Sequence, residues 1–379
     1  MNLLLATDAS VERSGVCLFI LNWVREIRKY DSDSFITVYF RKSIIDNDIF
    51  NQYKELNVDV VLGGISLNGT NFSSQNRKKI FSDIQNIIRN NNIDVVHVNS
   101  SAIGFSSQVL KIAKKENVPI RISHSHGKHL GNGIKNLYLW YLKRCICRDA
   151  NVYAGCSLEA GKYLFGNQVN NSDKWHFIPN TIDVHKYGFD PDIRDEYRQK
   201  LSLKEDDILL GATGMLTKIK NHAFLLPLIY ELNKTTGLNY KLVVFGEGEE
   251  RKRINEIATE LGITDSVVLY GVSSEISNWL SAMDVYVMPS LTEGLPIGAV
   301  EAQANGLTCI LSDCISNDID IADVIHIPID KGIKPWMDTL AGFKRKNAEQ
   351  RLDGARKMID AGFDISSTRD YILKLYGPK

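Results

Sequence analysis

The chain has 379 residues, enough for two α/β domains of ordinary size, and its composition of 44% hydrophobic and 24% charged residues is typical of a soluble globular protein. No run approaches the roughly 20 apolar residues of a membrane span, which excludes an integral membrane helix. The formal net charge is zero, no internal repeat or low-complexity segment is present, and we expect no nucleic-acid partner.

The first residues and the cysteines both indicate a reducing compartment. Asn2 to Ala6 has the pattern of a short strand and is followed at once by Asp8, which does not fit a signal peptide. We therefore expect a cytoplasmic protein. Six cysteines, at positions 17, 145, 147, 156, 309 and 314, mostly lie in apolar segments without a disulfide spacing, so we predict reduced core residues.

The zero net charge hides an asymmetry between the two halves of the chain. Residues 1–180 contain 22 Lys and Arg against 15 Asp and Glu, a difference of +7, and residues 181–379 contain 23 against 30, a difference of −7. A basic first half fits an anionic partner, and two oppositely charged lobes that attract each other fit equally well.

The first half alternates apolar strands with helical stretches. Such alternation predicts βαβ units and a parallel sheet. A short loop, Arg13-Ser14-Gly15-Val16, separates the first strand from a helix that begins near Cys17, and a polar helix is predicted near 75–90. The predicted strands are Asn2–Thr7, Phe35–Phe40, Val58–Leu62, Ile93–Val98 and Ile120–Gly127.

The strand at 120 ends in two histidines, His124 and His126, followed by Gly127. Side chains at the carboxyl end of a parallel strand are placed for ligand binding. The alternative is a purely structural role, in which the histidines only hydrogen-bond backbone groups at the strand end. A zinc site that also uses His129 lacks cysteine or carboxylate ligands at close spacing, so we do not favour it.

Residues 134–148 predict an aromatic helix with basic residues. Lys and Arg beside Trp and Tyr suit a helix on an anionic membrane surface. The apolar positions 134, 137, 138, 141, 142 and 145 also fit a core stripe. We expect core packing for most of this helix, with membrane contact restricted to its exposed edge.

Two further segments lead to the second half of the chain. Val152–Ser157 begins another βα unit, and the turn-forming string His176–Asp183 follows it. Residues 183–205 are polar and charged, so we predict an interdomain linker there.

In the second half, glycines follow three predicted strands. Gly214 ends the strand that starts at Ile208, and the turn after it carries Lys218 and Lys220. Gly246 follows Leu242–Phe245 in a Gly-x-Gly turn that lacks the third glycine of a dinucleotide fingerprint. Gly271 and Val272 end the strand that starts at Val267.

The most informative stretch is Met283–Ala304, which predicts a strand, a loop and a helix. Gly294 supplies a flexible joint, and Pro296 suits the first helical position. Unpaired N–H groups at such a helix start favour an anion such as a diphosphate. The carboxylates of Glu293 and Glu301 bracket this junction, and a carboxylate can accept both hydroxyls of a sugar diol. Together these features indicate a nucleotide sugar.

Two alternative functions involve carboxylates: a glycosidase that uses Glu293 and Glu301 as its catalytic pair, and a metal site formed by Asp-x-Asp pairs elsewhere in the chain. If residues 293–301 were all helical, Glu293 and Glu301 would lie roughly 12 Å apart, beyond the roughly 5–9.5 Å of a glycosidase pair. Asp-x-Asp pairs occur at 31/33, 190/192 and 318/320, but none follows a clear strand, so we expect no catalytic metal and no cofactor.

The remaining predicted strands are Thr308–Asp313 and Val324–Ile327. A terminal helix from Ser367 to Leu375 follows, with Ser366 or Ser367 as its N-cap.

Several of these strings resemble glycosyltransferase family 4. The spacing of Glu293 and Glu301 resembles its E-x7-E motif, and Ile178–Asp183 resembles its I-x-N-G-I-D signature. Strings such as 301–304, 156–166 and 122–126 look like bacterial capsular and exopolysaccharide transferases. The resemblance implies a GT-B fold, an α/β architecture of two Rossmann-like domains whose parallel sheets face each other across a cleft. The implied parts are an acceptor domain at 1–182, the linker, a donor domain at 206–362 and a segment at 363–379 whose helix returns to the first domain.

The resemblance also assigns roles to residues of this sequence. It implies a donor site formed by Gly15, Gly214, Lys218, Lys220, Gly246, Gly271, Val272, Glu293, Gly294, Leu295, Pro296, Ile297 and Glu301. It places either His124 or His126 near the transferring sugar and makes Lys220 and Glu293 catalytic. Met215 stands where the family has an arginine that binds the donor diphosphate, and a thioether cannot replace a bidentate guanidinium.

The resemblance implies retaining transfer of a hexosyl unit from a nucleoside diphosphate sugar to a saccharide or lipid-linked acceptor. Met215 motivates the alternative of a non-catalytic nucleotide-sugar-binding partner in a polysaccharide assembly complex. An oxidoreductase on the same type of domain lacks a complete glycine fingerprint.

Overall fold

The structure is a computed structural model that describes residues 1–12, 14–65, 74–100, 102–127, 136–293 and 295–377. The chain divides into two compact units. One unit comprises Met1–Thr181 together with Ser366–Lys379, and the other comprises Ile182–Ile365. The last helix of the chain therefore folds with the first half of the sequence.

The first unit is a seven-stranded parallel sheet with helices on both faces. Its strands lie in the order β3-β2-β1-β4-β5-β6-β7. The strands are β1 Asn2–Thr7, β2 Phe35–Lys42, β3 Asp59–Ile65, β4 Val95–Asn99, β5 Ile120–Ser125, β6 Val152–Gly155 and β7 Trp175–Phe177. The helices are α1 Gly15–Tyr30, α2 Asn47–Glu55, α3 Ser74–Asn90, α4 Ile103–Lys115, α5 Asn136–Asp149, α6 Leu158–Phe165 and, at the end of the chain, α14 Thr368–Tyr376.

Two hydrophobic cores cover the two faces of this sheet because successive side chains of a strand point to opposite faces. Leu3 and Leu5 of β1 pack with α1 and α14 residues, including Trp23 and Leu375. Leu4 and Ala6 point to the other core, which α3 to α6 complete.

The second unit is a six-stranded parallel sheet in the order β10-β9-β8-β11-β12-β13. Its strands are β8 Ile208–Thr213, β9 Tyr240–Phe245, β10 Val267–Gly271, β11 Val285–Met288, β12 Thr308–Ser312 and β13 Asp323–Ile327. Its helices are α7 Pro191–Lys200, α8 Leu225–Thr235, α9 Arg251–Glu260, α10 Ile276–Ala282, α11 Ile297–Ala304, α12 Lys334–Ala341 and α13 Ala348–Asp360. The two parallel sheets confirm the predicted α/β class.

Residues 183–205, which we predicted as a linker, belong to the second unit and contain α7. Their charges have a packing role, because Arg194 and Arg198 reach the fully buried Asp284 at 2.5 Å and 3.0 Å. Arg345 contacts the same carboxylate at 2.8 Å. A buried carboxylate needs such partners, and this network anchors α7 to the start of β11.

The predicted core stripe of the aromatic helix differs from the structure. Leu142 and Cys145 of α5 are buried as predicted, but Leu137, Tyr138 and Tyr141 are exposed. The buried face runs through Leu142, Cys145 and Ile146 instead. Position 134 lies outside the described residues.

Two helix starts also differ in detail from the prediction. Pro296 occupies the N-cap of α11 rather than its first helical position. Ser367 is the N-cap of α14, but its side chain makes no capping hydrogen bond, and the helix begins at Thr368.

Candidate active site

The strand orders locate a candidate ligand site in each unit. In a doubly wound sheet, ligands bind at the carboxyl ends of the strands where the strand order reverses. That point lies between β8 and β11 in the second unit and between β1 and β4 in the first. The predicted site residues fall into two groups, one in each unit.

Three glycines line the carboxyl edge of the second sheet. The Gly214 N–H donates to the Phe245 carbonyl at 2.9 Å, and the Gly246 N–H donates to the Gly271 carbonyl at 2.8 Å. Gly246 has a φ of +142°, and a Cβ there would lie 2.1 Å from the Gly214 carbonyl oxygen. Only glycine allows this approach, so the backbones of these strand ends lie close together. We call Gly214, Gly246 and Gly271 the glycine surface; the side chains of Lys220 and Glu247 border it.

Lys220 and Glu293 form an ion pair at this edge. The Lys220 Nζ lies 2.6 Å from the Glu293 Oε1, and the two side chains retain 24% and 10% of their exposure. Two contacts between loops hold the pair. The Leu291 N–H donates to the Ile219 carbonyl at 2.8 Å, and the Asn221 side chain donates to the Pro289 carbonyl at 3.2 Å. In this structure the ammonium and the carboxylate neutralise each other.

The first turn of α11 is held close to the end of β8 by Gly298. A Cβ at this position would lie 2.2 Å from the Thr213 Oγ1 and 2.5 Å from the Tyr286 hydroxyl. Thr213 and Tyr286 hydrogen-bond each other at 2.8 Å. The N-cap residue Pro296 makes no side-chain capping hydrogen bond, and the Ala299 and Val300 N–H groups donate to the Pro296 carbonyl. The Ile297 and Gly298 N–H groups at the helix start are therefore the candidates for binding an anion.

Around this helix start, the structure describes Leu295 and Pro296 as buried and Ile297 as half-buried. Gly294, a predicted donor-site residue, lies outside the described residues.

Glu301 lies in a low-dielectric environment on α11. Burial raises the pKa of its carboxyl group to about 7, although a hydrogen bond from the Tyr187 hydroxyl and the charge of Lys186 oppose that shift. The residue keeps part of its accessible surface, so ligand hydroxyls can reach this carboxylate and replace the water that burial removes. The arrangement suits a diol.

The position that the family resemblance assigns to an arginine is open to solvent. The Met215 side chain is 66% exposed, and Lys218 is also exposed. Gly271 has a φ of +87°, and Val272 after it is 75% exposed. Met215 and Val272 are therefore solvent-exposed side chains next to the glycines of this sheet edge.

The first unit places three histidines at the carboxyl edge of its sheet. His124 lies in β5 and His126 follows that strand, and their rings stack with centroids 4.2 Å apart. His97 on β4 contributes its Nε2, 3.1 Å from the His124 Nδ1. Burial lowers the pKa of His97 and of His126 to about 3 and that of His124 well below its usual value. All three rings are therefore neutral at physiological pH.

His124 and His126 differ in access. His124 has no exposed surface, whereas His126 is partly exposed and hydrogen-bonds the Asn99 side chain at 3.0 Å. Gly15, the predicted close-approach residue, begins α1. One turn later, the Phe19 ring meets His124 and His126 with centroids 4.9 Å apart in each case.

Within the described parts of the chain, no three His, Cys, Asp or Glu side chains are grouped so that they could hold a metal ion. The alternative zinc site used His129, which lies outside the described residues. None of the described helices combines the length and apolar character that a membrane crossing requires.

Sequence reasoning missed several polar residues at both edges. His97 could have been found, because its strand was predicted to end at the same edge as His124. Tyr187 and Tyr286 belong to no recognisable sequence motif. Their contacts with α11, the hydrogen bond of Tyr187 to Glu301 and the position of the Tyr286 hydroxyl next to Gly298, are visible only in the folded chain. Tyr376 lies 279 residues from His97, yet their side chains are 2.9 Å apart.

Family models match most of the chain in two parts. Residues 48–186 match the model described as Glycosyltransferase Family 4, and residues 193–322 match the model described as Glycosyl transferases group 1.

Two relatives and one solved structure extend this similarity. EpsF of Bacillus subtilis, which is named as a glycosyltransferase, is 27% identical over 97% of this chain and 94% of its own length. The UDP-Gal:alpha-D-GlcNAc-diphosphoundecaprenol alpha-1,3-galactosyltransferase of Escherichia coli is 24% identical over 79% of each chain. Anabaena HepE, solved with UDP-glucose, superposes with a TM-score of 0.75 at 14% identity and 98% coverage of both chains. The fold is therefore GT-B.

Proposed function

Because the chain belongs to the glycosyltransferases, with a family 4 domain followed by a group 1 domain, we propose that it transfers a hexosyl unit from a nucleoside diphosphate sugar. We favour a UDP sugar as donor, since HepE binds UDP-glucose and the Escherichia coli relative is named for a UDP-galactose donor. The proposed acceptor is a sugar hydroxyl of an oligosaccharide or a lipid-linked saccharide in capsular or exopolysaccharide synthesis. The Lys220–Glu293 pair beside the glycine surface is the observation that carries the proposal.

Each group at the second unit's edge has a role in this reaction. Lys220 and the N–H groups at the start of α11 stabilise the charge that grows on the leaving diphosphate. Glu301 accepts the ribose diol, Gly271 and Val272 border the base, and Glu293 binds the sugar. The bond from the anomeric carbon to the phosphate oxygen breaks, and a bond to the acceptor oxygen forms on the same face. The acceptor proton passes to the departing phosphate. Because the new bond forms on the face that the phosphate leaves, the configuration at the anomeric carbon is retained.

The ion pair predicts opposite effects on binding for its two members. Lys220→Gln removes the cation, so UDP affinity should fall roughly tenfold or more, together with turnover. Glu293→Gln frees the ammonium and removes a negative charge near the diphosphate, so UDP should bind as well as before or better. Turnover should still fall, by roughly 100-fold. Calorimetric UDP titration and an assay of donor consumption would measure both quantities.

A matched control is Lys252→Gln, because Lys252 is 88% exposed on α9 and loses the same charge away from the site. Its UDP affinity and turnover should equal those of the wild type. Normal turnover in purified Lys220→Gln or Glu293→Gln would contradict the assignment.

A thermal-shift panel of UDP, GDP, ADP and their sugars identifies the leaving group, since a bound ligand stabilises the folded chain.

The exposed Met215 favours a second candidate function, a nucleotide-sugar-binding partner that does not catalyse transfer. Met215→Arg discriminates between the two. A wild type that binds donor but is silent, and gains transfer in Met215→Arg, supports the binding partner. An active wild type removes it and implies that Lys218, together with the start of α11, supplies what the arginine would. Met215→Leu, which adds no charge, is the control.

We propose that donor binding needs no metal ion and no other cofactor, because Lys220 and backbone N–H groups supply the positive charge. Turnover should be the same with EDTA as with EDTA saturated by Mg²⁺. Activity that EDTA abolishes and Mg²⁺ restores would contradict this.

We also propose that α5 contacts the cytoplasmic face of an anionic membrane, where a lipid-linked acceptor would lie. Leu137, Tyr138, Trp140 and Tyr141 are exposed by 78%, 58%, 51% and 56%. The Arg144 guanidinium lies 4.3 Å from the Trp140 ring centroid. Exposed aromatic side chains beside a cation are the chemistry of an interfacial helix on anionic lipid.

Sedimentation with phosphatidylglycerol vesicles tests this contact. Wild type should bind them more strongly than phosphatidylcholine vesicles, and high salt should weaken the binding. Substituting both Trp140 and Tyr141 by Ser should reduce binding roughly tenfold or more, since the aromatic area is lost. Leu352→Ser is the control, because Leu352 is 57% exposed on α13. Equal binding by wild type and the double variant would contradict the proposal.

A further inference from the structure

Four buried side chains form a hydrogen-bonded line that ends at the histidines of the first unit. The Trp23 Nε1 lies 2.8 Å from the Tyr376 hydroxyl, which lies 2.9 Å from the His97 Nδ1. The His97 Nε2 lies 3.1 Å from the His124 Nδ1. None of the four is more than 7% exposed. The line connects α1 and α14 to the carboxyl ends of β4 and β5.

The chemistry of the first member fixes the direction of every hydrogen bond in the line. An indole N–H can only donate, so the Tyr376 oxygen accepts from Trp23 and its own proton goes to the His97 Nδ1. His97 is neutral, because burial lowers its pKa to about 3. Its single proton is therefore on Nε2 and is donated to the His124 Nδ1. His124, also neutral, then carries its proton on Nε2.

Beyond His124 the line continues as a ring stack. His126 lies on His124 with 22° between the ring planes. The His126 Nε2 faces the Asn99 Oδ1, and the Asn99 amide is oriented by its donation to the His97 carbonyl at 3.3 Å. The His126 proton is therefore on Nε2. Its Nδ1 is a buried atom that makes no hydrogen bond of good geometry among the described residues, and the side chain of Asn180 interacts with the His126 ring.

Such a line is costly as mere core filling. Burying an indole N–H, a phenol and two imidazoles costs free energy unless every hydrogen bond is made, and apolar side chains of similar size would avoid that cost. From Trp23 to His97 each donor meets an acceptor. Among the described residues, the His124 Nε2 and the His126 Nδ1 are the atoms of this line that are buried without a hydrogen-bond partner.

We infer that Tyr376 and His97 are positioning residues for the saccharide site: they hold the His124 proton on Nε2 and the His124–His126 stack in place, so that the partly exposed ring of His126 keeps the orientation in which it contacts a bound sugar. This inference rests on the proposed function. It concerns residues that touch neither donor nor acceptor and act through His124 and His126.

The proton positions can be measured directly by ¹⁵N NMR of the full chain with labelled histidines. In the wild type, His97 and His124 should both be neutral with the proton on Nε2. Tyr376→Phe keeps the ring and removes the hydroxyl, so both residues should show a mixture of tautomers. His97→Gln retains a donor toward His124 and should preserve its tautomer, whereas His97→Leu should not.

Kinetics separates positioning from general destabilisation. Tyr376→Phe should raise the KM for the acceptor roughly fivefold, as expected for the loss of one hydrogen bond. UDP affinity should be unchanged, because the residues that we propose to bind the diphosphate and the ribose belong to the other unit. His97→Gln should keep acceptor kinetics close to the wild type, and His97→Leu, at matched thermal stability, should resemble Tyr376→Phe.

Two results would overturn the inference. One is a wild-type His124 with its proton on Nδ1, and the other is a Tyr376→Phe variant with unchanged tautomers and unchanged acceptor KM. A wild type that transfers no sugar from any donor contradicts the proposed function instead. The tautomers are read without turnover, so the two failures are distinguishable.

Discussion

A single carboxyl group, that of Glu301, sets a pH dependence of stability that can be measured. Its pKa is raised to about 7 by burial in the folded chain, whereas an unfolded glutamate titrates near 4.3. The folded state therefore binds a proton that the unfolded state has lost. Its contribution to the free energy of unfolding falls as pH rises from about 4.5 to about 7 and stays low above that.

Glu301→Gln removes this titration, so the ligand-free variant should be more stable than the wild type at pH 8. The expected difference is about 2–3 kcal/mol, or roughly 4–10 °C in the melting temperature of the second unit. At pH 4, below both pKa values, the two proteins should melt almost together. A melting-temperature difference that does not grow with pH would show that Glu301 is not desolvated as the structure indicates.

Single residues at the sites were predictable to different degrees. Glu293, Glu301 and Lys220 could be proposed as site residues because they lie within a recognisable string. The sequence could not choose between His124 and His126, since that choice depends on which ring reaches the surface. Tyr187 and Asn99 were missed because a hydrogen-bond partner from another element leaves no local spacing to recognise.

At the level of elements, close packing of the first turn of α11 supports the donor site. A Cβ at Gly298 would lie 2.2 Å from the Thr213 Oγ1, so Gly298→Ala must push the helix start away from β8. We expect a loss of about 1–3 kcal/mol in stability and weaker UDP binding. Thermal denaturation and UDP titration measure both.

Gly104 provides a matched control, because it is also the second residue of its helix, α4. A Cβ there meets no described atom within 4 Å. Gly104→Ala should be neutral or stabilising by up to about 1 kcal/mol, through helix propensity alone. If both substitutions had the same effect, helix propensity rather than packing against Thr213 would explain the loss.

The helix α5 shows what periodicity leaves undetermined. Apolar residues occur on two of its faces, and the sequence supports either face as the buried one. The structure buries Leu142, Cys145 and Ile146 and leaves Tyr138 and Tyr141 exposed. The choice is made by packing against α4 and α6, which the local pattern does not contain.

At the scale of the whole molecule, strands were predicted more reliably than boundaries between units. Buried parallel strands are short continuous apolar runs with turn residues after them, and each predicted run lies on an observed strand. Residues 183–205 were misjudged because their charges suggested solvent, whereas Arg194 and Arg198 pair with the buried Asp284. A high content of charged residues indicates a linker only when the charged side chains are solvated rather than paired with buried groups of the domain.

The chain order does not follow the order of folding units, since α14 completes the first unit after the whole second unit has been traversed. Leu375 is 3% exposed and belongs to the core that contains Trp23, whereas its neighbour Lys374 is exposed. Leu375→Ala should cost about 2–5 kcal/mol, and the loss should fall on the first unit alone. Lys374→Ala should leave stability nearly unchanged.

Calorimetry with and without UDP assigns the effect to a unit. If the proposed donor site is correct, UDP raises the melting transition of the second unit. Leu375→Ala should lower the other transition by roughly 5–15 °C and leave the UDP-sensitive one in place. A shift of the UDP-sensitive transition by Leu375→Ala would mean that the terminal helix stabilises the donor unit, and the division at Thr181 and Ser366 would not describe how the chain unfolds.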